Sequence, residues 1–126
     1  MEKVLQIDGK EVRMRASALV PRLYRVRFGR DMVKDMATLR KAYKKVNDLP
    51  EEATQEEIEE AQFSVLDLTI FENVAYIMAK HADANVANTV EDWLDGFNMF
   101  SIYEVMPSIL ELWQLSQQTT SIPKKK

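Results

Sequence analysis

"TQEEIEEAQFSVLDLTIFENVAYIMAKH", residues 54–81, decides how this chain folds. Thr54 with Glu57 three positions on has the spacing of a capping box, where two side chains satisfy backbone N–H groups that a first helical turn leaves free. The acids from Glu56 to Glu60 suit the positive end of a helix. From Ala61 to Ala79 the stretch is apolar on nearly every side. Val65, Leu68, Ala75 and Ala79 form one helical stripe, and Leu66, Ile70, Val74 and Ile77 form another. The pattern predicts one helix from Thr54 to about His81, contacted from two directions. Asp67, Glu72 and Asn73 interrupt it and read as an exposed seam.

The flanking sequence must supply the contacts. Val4–Ile7 and Val12–Met14 read as short strands around Asp8-Gly9, a pair that tight hairpin turns prefer, and a lone hairpin needs helices or another strand to rest on. Ser17 is a candidate cap for a helix beginning near Ala18, with Leu23, Val26 and, beyond a break at Gly29, Met32 on one side. Gly29 either bends this helix or, the favoured reading, divides it from a second one over Asp31–Lys45, where Met32, Met36, Leu39 and Tyr43 recur at helical spacing while Lys34, Lys41, Lys44 and Lys45 face away. Pro50 marks the break before residue 54. Downstream, Thr89 with Asp92 opens a short helix. Ser101 with Glu104 opens a last one through Tyr103, Met106, Ile109, Leu110 and Trp113, in which Pro107 should kink the helix or delay its start. The expected fold is mainly α: one domain over residues 1–118, about five helices and an N-terminal β-hairpin, followed by a flexible basic tail at 119–126.

Composition narrows the chemistry. No stretch approaches the roughly 20 apolar residues of a membrane span, and Met1–Arg15 lacks the plan of a secretory signal, so the chain reads as soluble and intracellular. It has no cysteine, which excludes disulfides and thiolate metal sites. His81 is the only histidine, and with Asp83 it falls short of the ligand set a zinc site needs. No serine has a histidine base within a reach that the sequence shows, no glycine-rich phosphate loop is present, and the acidic runs suit helix starts better than acid–base work. No cofactor and no catalytic residue is expected, and the chain reads as a non-enzyme.

Charge is unevenly spread. Residues 10–45 hold twelve Lys or Arg against three acids, and residues 46–111 hold fifteen acids against Lys80 alone, within a net charge of -3. A basic face built on Arg22, Arg25, Arg27, Arg30 and Lys34 could meet an acidic partner, or one copy could meet another head to tail. With Tyr24 and Phe28 interleaved, the same run could touch phosphates, but the acidic remainder and the lack of a helix-turn-helix or base-stacking motif weigh against nucleic acid. A membrane surface is disfavoured because the run is short and broken by Gly29. In "EDWLDGFNMFSIYEVMPSILELW", residues 91–113, Trp93, Phe97, Phe100, Tyr103 and Trp113 with Met99 and Met106 suit either a core or a surface that another protein covers.

"RVRFGRDMVKDM", "FENVAYIMAK" and "WLDGFNMFSIYEVMPSILELW" resemble the small tail assembly chaperones of long-tailed phages and prophages of Gram-positive bacteria, over about residues 12–113. The resemblance implies a mostly helical protein of the host cytoplasm that binds the aggregation-prone tape measure protein while tail tube subunits polymerise. It also implies oligomers, a longer product made by translational frameshifting, and absence from the mature virion. It points to Phe28–Met32, Phe71–Tyr76 and Trp93–Trp113 as partner-binding segments, hence Phe28, Met32, Phe71, Tyr76, Trp93, Phe97, Phe100, Tyr103, Met106 and Trp113 as interface candidates. A head-to-tail connector or other virion component, and a phage regulator binding nucleic acid, are the alternatives.

Overall fold

The computed structural model describes residues 1–120, with side chains described through Ser116. Strands β1 (Glu2–Ile7) and β2 (Lys10–Arg15) precede helices α1 (Val20–Phe28), α2 (Met32–Asn47), α3 (Gln55–Ala61), α4 (Val65–Ala82), α5 (Val90–Asp95) and α6 (Ile102–Thr120). The fold is mainly α with an antiparallel N-terminal hairpin.

The hairpin forms where Asp8-Gly9 predicts it. Both residues take positive φ, 54° and 74°, which lets a two-residue turn join strands paired from Ile7–Lys10 to Glu2–Arg15. Strand alternation sends Leu5, Ile7, Val12 and Met14 inward. β2 rests on α4 and β1 on α6, so helices supply the support that two strands lack alone.

The segment 54–81 holds two helices rather than one, which is why there are six among the described residues. The Thr54–Glu57 box opens α3, but that helix stops at Ala61, and Ser64 with Asp67 forms a second capping box that opens α4. Asp67 is therefore a cap, not part of a seam. Apolar pattern alone conceals such a break, because the residues on both sides keep helical spacing. Burial on α4 begins only at Ile70: Val65, Leu66 and Leu68 are exposed, against the expected stripes. From Ile70 to Ala79 the helix is enclosed except at Glu72 and Asn73, and it packs against β2, α1, α2, α5 and α6.

Gly29, in the left-handed region at φ 67°, ends α1 and accounts for the division into two helices. α1 starts at Val20, and Ser17 does not cap it. Its inner face follows Val20, Tyr24 and half-buried Phe28, four residues apart, so Val26 points to solvent instead of inward. In α2, Asp31 caps the backbone of Val33 and Lys34, and Met32, Met36 and Leu39 enter the core as their spacing predicts. The start of α6 is closed by the Ser101 carbonyl, which accepts from the N–H groups of Glu104 and Val105, not by a side-chain box. Pro107 neither delays nor ends α6. Its missing N–H would have paired with the carbonyl of Tyr103, and both residues lie at the surface, where water can satisfy that carbonyl. α6 continues to Thr120, two residues into the segment expected to be a tail; residues 121–126 lie outside the described residues.

Candidate functional site

The aromatic residues of the C-terminal third mostly close the core. Trp93, on α5, meets Tyr76 of α4 edge-on at 5.8 Å and the rings of Phe97 and Phe100 at 5.3 and 5.2 Å. Phe100 in turn lies 5.2 Å from Phe71. Met32, Phe71, Tyr76 and Met106 are enclosed, and Trp93 and Trp113 keep only 7 % of their surface. As interface candidates these six are corrected to core residues, because α4 needs large side chains on every side to close around it. Phe28, Phe97 and Phe100 are half-buried against the same core.

Two of the aromatic and methionine side chains of the quoted C-terminal segment stay outside. Tyr103 is 57 % exposed and Met99 70 % exposed. The Tyr103 ring lies 5.8 Å from that of Phe63, which precedes α4, and the exposed Val65, Leu66 and Leu68 follow Phe63 directly. Apolar surface therefore collects where the start of α4 meets the start of α6. Phe63 and the first turn of α4 are members of this surface that the sequence did not single out, since Leu66 and Leu68 fitted a buried stripe.

The basic candidates divide by partner. The Arg30 guanidinium makes two hydrogen bonds to buried Asp35, at 2.7 and 2.9 Å, and the Tyr24 hydroxyl donates to the same carboxylate at 2.7 Å. Arg30 beside it holds the Asp35 carboxyl below the usual range, while burial, with the Asp35 carboxylate, pushes the Tyr24 hydroxyl up. Arg27 donates to the Asn88 carbonyl and lies 4.9 Å over the Tyr76 ring. Lys80 gathers the same loop, donating to the carbonyls of Ala84 and Val86 and to Asn88 Oδ1. Arg22, Arg25 and Lys34 have no acidic partner among the described residues. Tyr24 is enclosed and so offers no free ring face on which a base would stack, and half-buried Phe28 packs on it at 5.1 Å.

One pair appears that the sequence conceals. Ser17 Oγ and His81 Nε2 are 2.9 Å apart, although 64 positions separate them. Ser17 Oγ already accepts from the N–H of Leu19 at 3.2 Å. Burial, then Arg15 and the N-terminal amine, push the His81 pKa down, so the neutral ring is favoured, and its tautomer sets which of the two groups donates. No carboxylate orients the ring among the described residues, as a serine nucleophile's base requires. The pair ties the β2–α1 connection to the end of α4. Because the unfolded chain binds the proton first, stability should be level above about pH 6.5 and fall as pH drops below it toward the folded value. Urea midpoints between about pH 7.5 and about pH 5.5 should show that decline, and His81→Gln should remove its share.

Among the described residues no three metal-ligating side chains gather, and no helix is long and apolar enough to cross a membrane. No known protein family, no curated protein and no solved structure matches this chain.

Proposed function

We propose that this protein is a tail assembly chaperone of a long-tailed phage or prophage: it binds the tape measure protein in the host cytoplasm, keeps it soluble while the tail tube forms, and leaves before the virion is complete. Tail tube protein is a second candidate partner. Binding, not catalysis, is the activity. The resemblance of residues 12–113 suggests the client. The observation that carries the reading is the apolar surface left outside a closed core, where Tyr103, Val65 and Leu66 stand exposed near half-buried Phe63, with Met99 exposed on the connection that leads into α6. A client that aggregates through apolar segments needs such a surface, and the surrounding charge keeps the complex dissolved.

Co-expression with a tape measure fragment tests this. The fragment is expected in the soluble fraction, in a complex that survives a sizing column. Because both positions are exposed, Tyr103→Ser with Met99→Ser should keep the fold and weaken capture by about tenfold or more. A fragment that stays insoluble, with no complex, would overturn the reading. Finding the chain in purified virions would assign a structural component instead.

A further inference from the structure

A groove of about 420 Å³ runs between α1 and the C-terminal end of α4. Its apolar lining includes Leu19, Val26 and Ile77, and Val26 is 74 % exposed. Viewed down α1, Val26, Leu19 and Leu23 fall in the arc between Arg22 and Arg27, two lining residues that stand about 140° apart. Cations therefore border the apolar stripe on both sides. Lys80 of α4 joins Arg27 at one margin, where Arg27 donates to the backbone carbonyl of Asn88 and Lys80 to its Oδ1. Both donate only to neutral oxygens, Arg22 has no partner among the described residues, and no acidic side chain lines the groove.

Shape and charge together select the occupant. From Leu19 to Val26 the stripe runs about 10 Å, two turns of helix, the reach of the apolar side chains that a second helix presents at i, i+3 or i+4 and i+7. Uncompensated cations on both margins match carboxylates on both flanks of such a helix. A fatty-acid-like anion has a single head and would leave one margin unpaired, and a nucleic-acid backbone has no apolar face to cover Val26.

We propose that this groove is a docking site for an acidic amphipathic helix of a partner protein. Two to three turns of that helix would seat apolar side chains on Leu19, Val26 and Ile77, with acids facing Arg22 on one flank and Arg27 and Lys80 on the other. The groove lies at the far end of α4 from Phe63 and Tyr103, since Val65 and Ile77 are about 18 Å of helix apart, so the inference does not rest on the tape measure client.

Fluorescence anisotropy of a labelled synthetic helix of about fourteen residues tests it with the full chain. The probe carries leucine at every third or fourth position and glutamate on both flanks of that stripe. It is expected to bind, and to bind at least about tenfold more weakly when its residues are scrambled so that no stripe forms, or when glutamine replaces glutamate on either flank alone. Arg22→Ala with Val26→Asp, at exposed positions, should weaken the intact probe by about as much, with Arg22→Ala alone as the milder variant and circular dichroism to check that each stays folded. Raising salt from about 50 to about 300 mM should weaken binding further. No binding up to about 1 mM probe would overturn the proposal, as would a scrambled helix that binds equally well or an affinity that ignores the groove variants. Displacement of the probe by decanoate at lower concentration than by the unlabelled helix would assign the groove to a single-headed amphiphile instead. Self-association that these variants abolish, in a chain that ignores the probe, would assign it to a second copy and also overturn the proposal. Probe binding without client capture would leave this inference standing and the client reading not, and the reverse result would do the opposite.

Discussion

Trp93→Ala should lower the free energy of unfolding by about 3–5 kcal/mol, the cost of removing a large enclosed aromatic whose site cannot collapse. Trp93 touches three other rings, and those rings come from α4 and from the α5–α6 connection, so the loss would loosen the joint between the central helix and the C-terminal third. Urea unfolding followed by circular dichroism measures it, with Trp113 left as a fluorescent reporter. Tyr103→Ala is the control, expected within about 1 kcal/mol of the unaltered chain because its ring is largely in water. Equal effects of the two substitutions would contradict the division between core and surface.

The second large effect belongs to Asp35, which with Ser116 makes up the buried polar and charged residues among those described. Asp35→Ala strands the Tyr24 hydroxyl inside the fold and should cost about 2–3 kcal/mol, the penalty for an unsatisfied buried donor plus the lost charge-assisted bond. Arg30, half in water, can turn to solvent and adds little. Tyr24→Phe in the Asp35→Ala background should recover part of the loss, because no hydroxyl is then left without a partner, so the double variant falls short of the sum of the singles. The pH dependence has a definite sign. Asp35 has its pKa lowered by folding, so its contribution is present above the ordinary carboxylate value near 4 and disappears as pH falls through the lower folded value. Asp35→Ala should flatten that part of the acid limb.

Much of the fold was legible because its signals are local. Asp8-Gly9 needs only two residues to specify a turn, Gly29 only one to end a helix, and Met32, Met36 and Leu39 announce their shared face by spacing. What the sequence hid was relational. The break between α3 and α4 is marked by Ser64 and Asp67, a capping pair embedded in a run whose apolar spacing never falters. Val65, Leu66 and Leu68 are hydrophobic enough for a core, and only the placement of the neighbouring elements leaves them uncovered. Candidate interface residues failed in the other direction. Trp93, Trp113 and Met106 have the chemistry that protein interfaces favour, but the same chemistry closes a core, and composition does not choose between the two. Ser17 and His81, or Tyr24 and Asp35, become partners only when chain-distant elements meet.

Because α4 packs against five other elements over Ile70–Ala79, those contacts have no independent way to open. Backbone amides there should exchange with deuterium only through global unfolding, whereas α3 and α5, a turn or two long and exposed along much of their length, should exchange through local openings of far lower free energy. The slowest amides would then report the stability of the whole chain. The fast ones at α3 would mark a segment that can rearrange while the rest of the molecule stays folded.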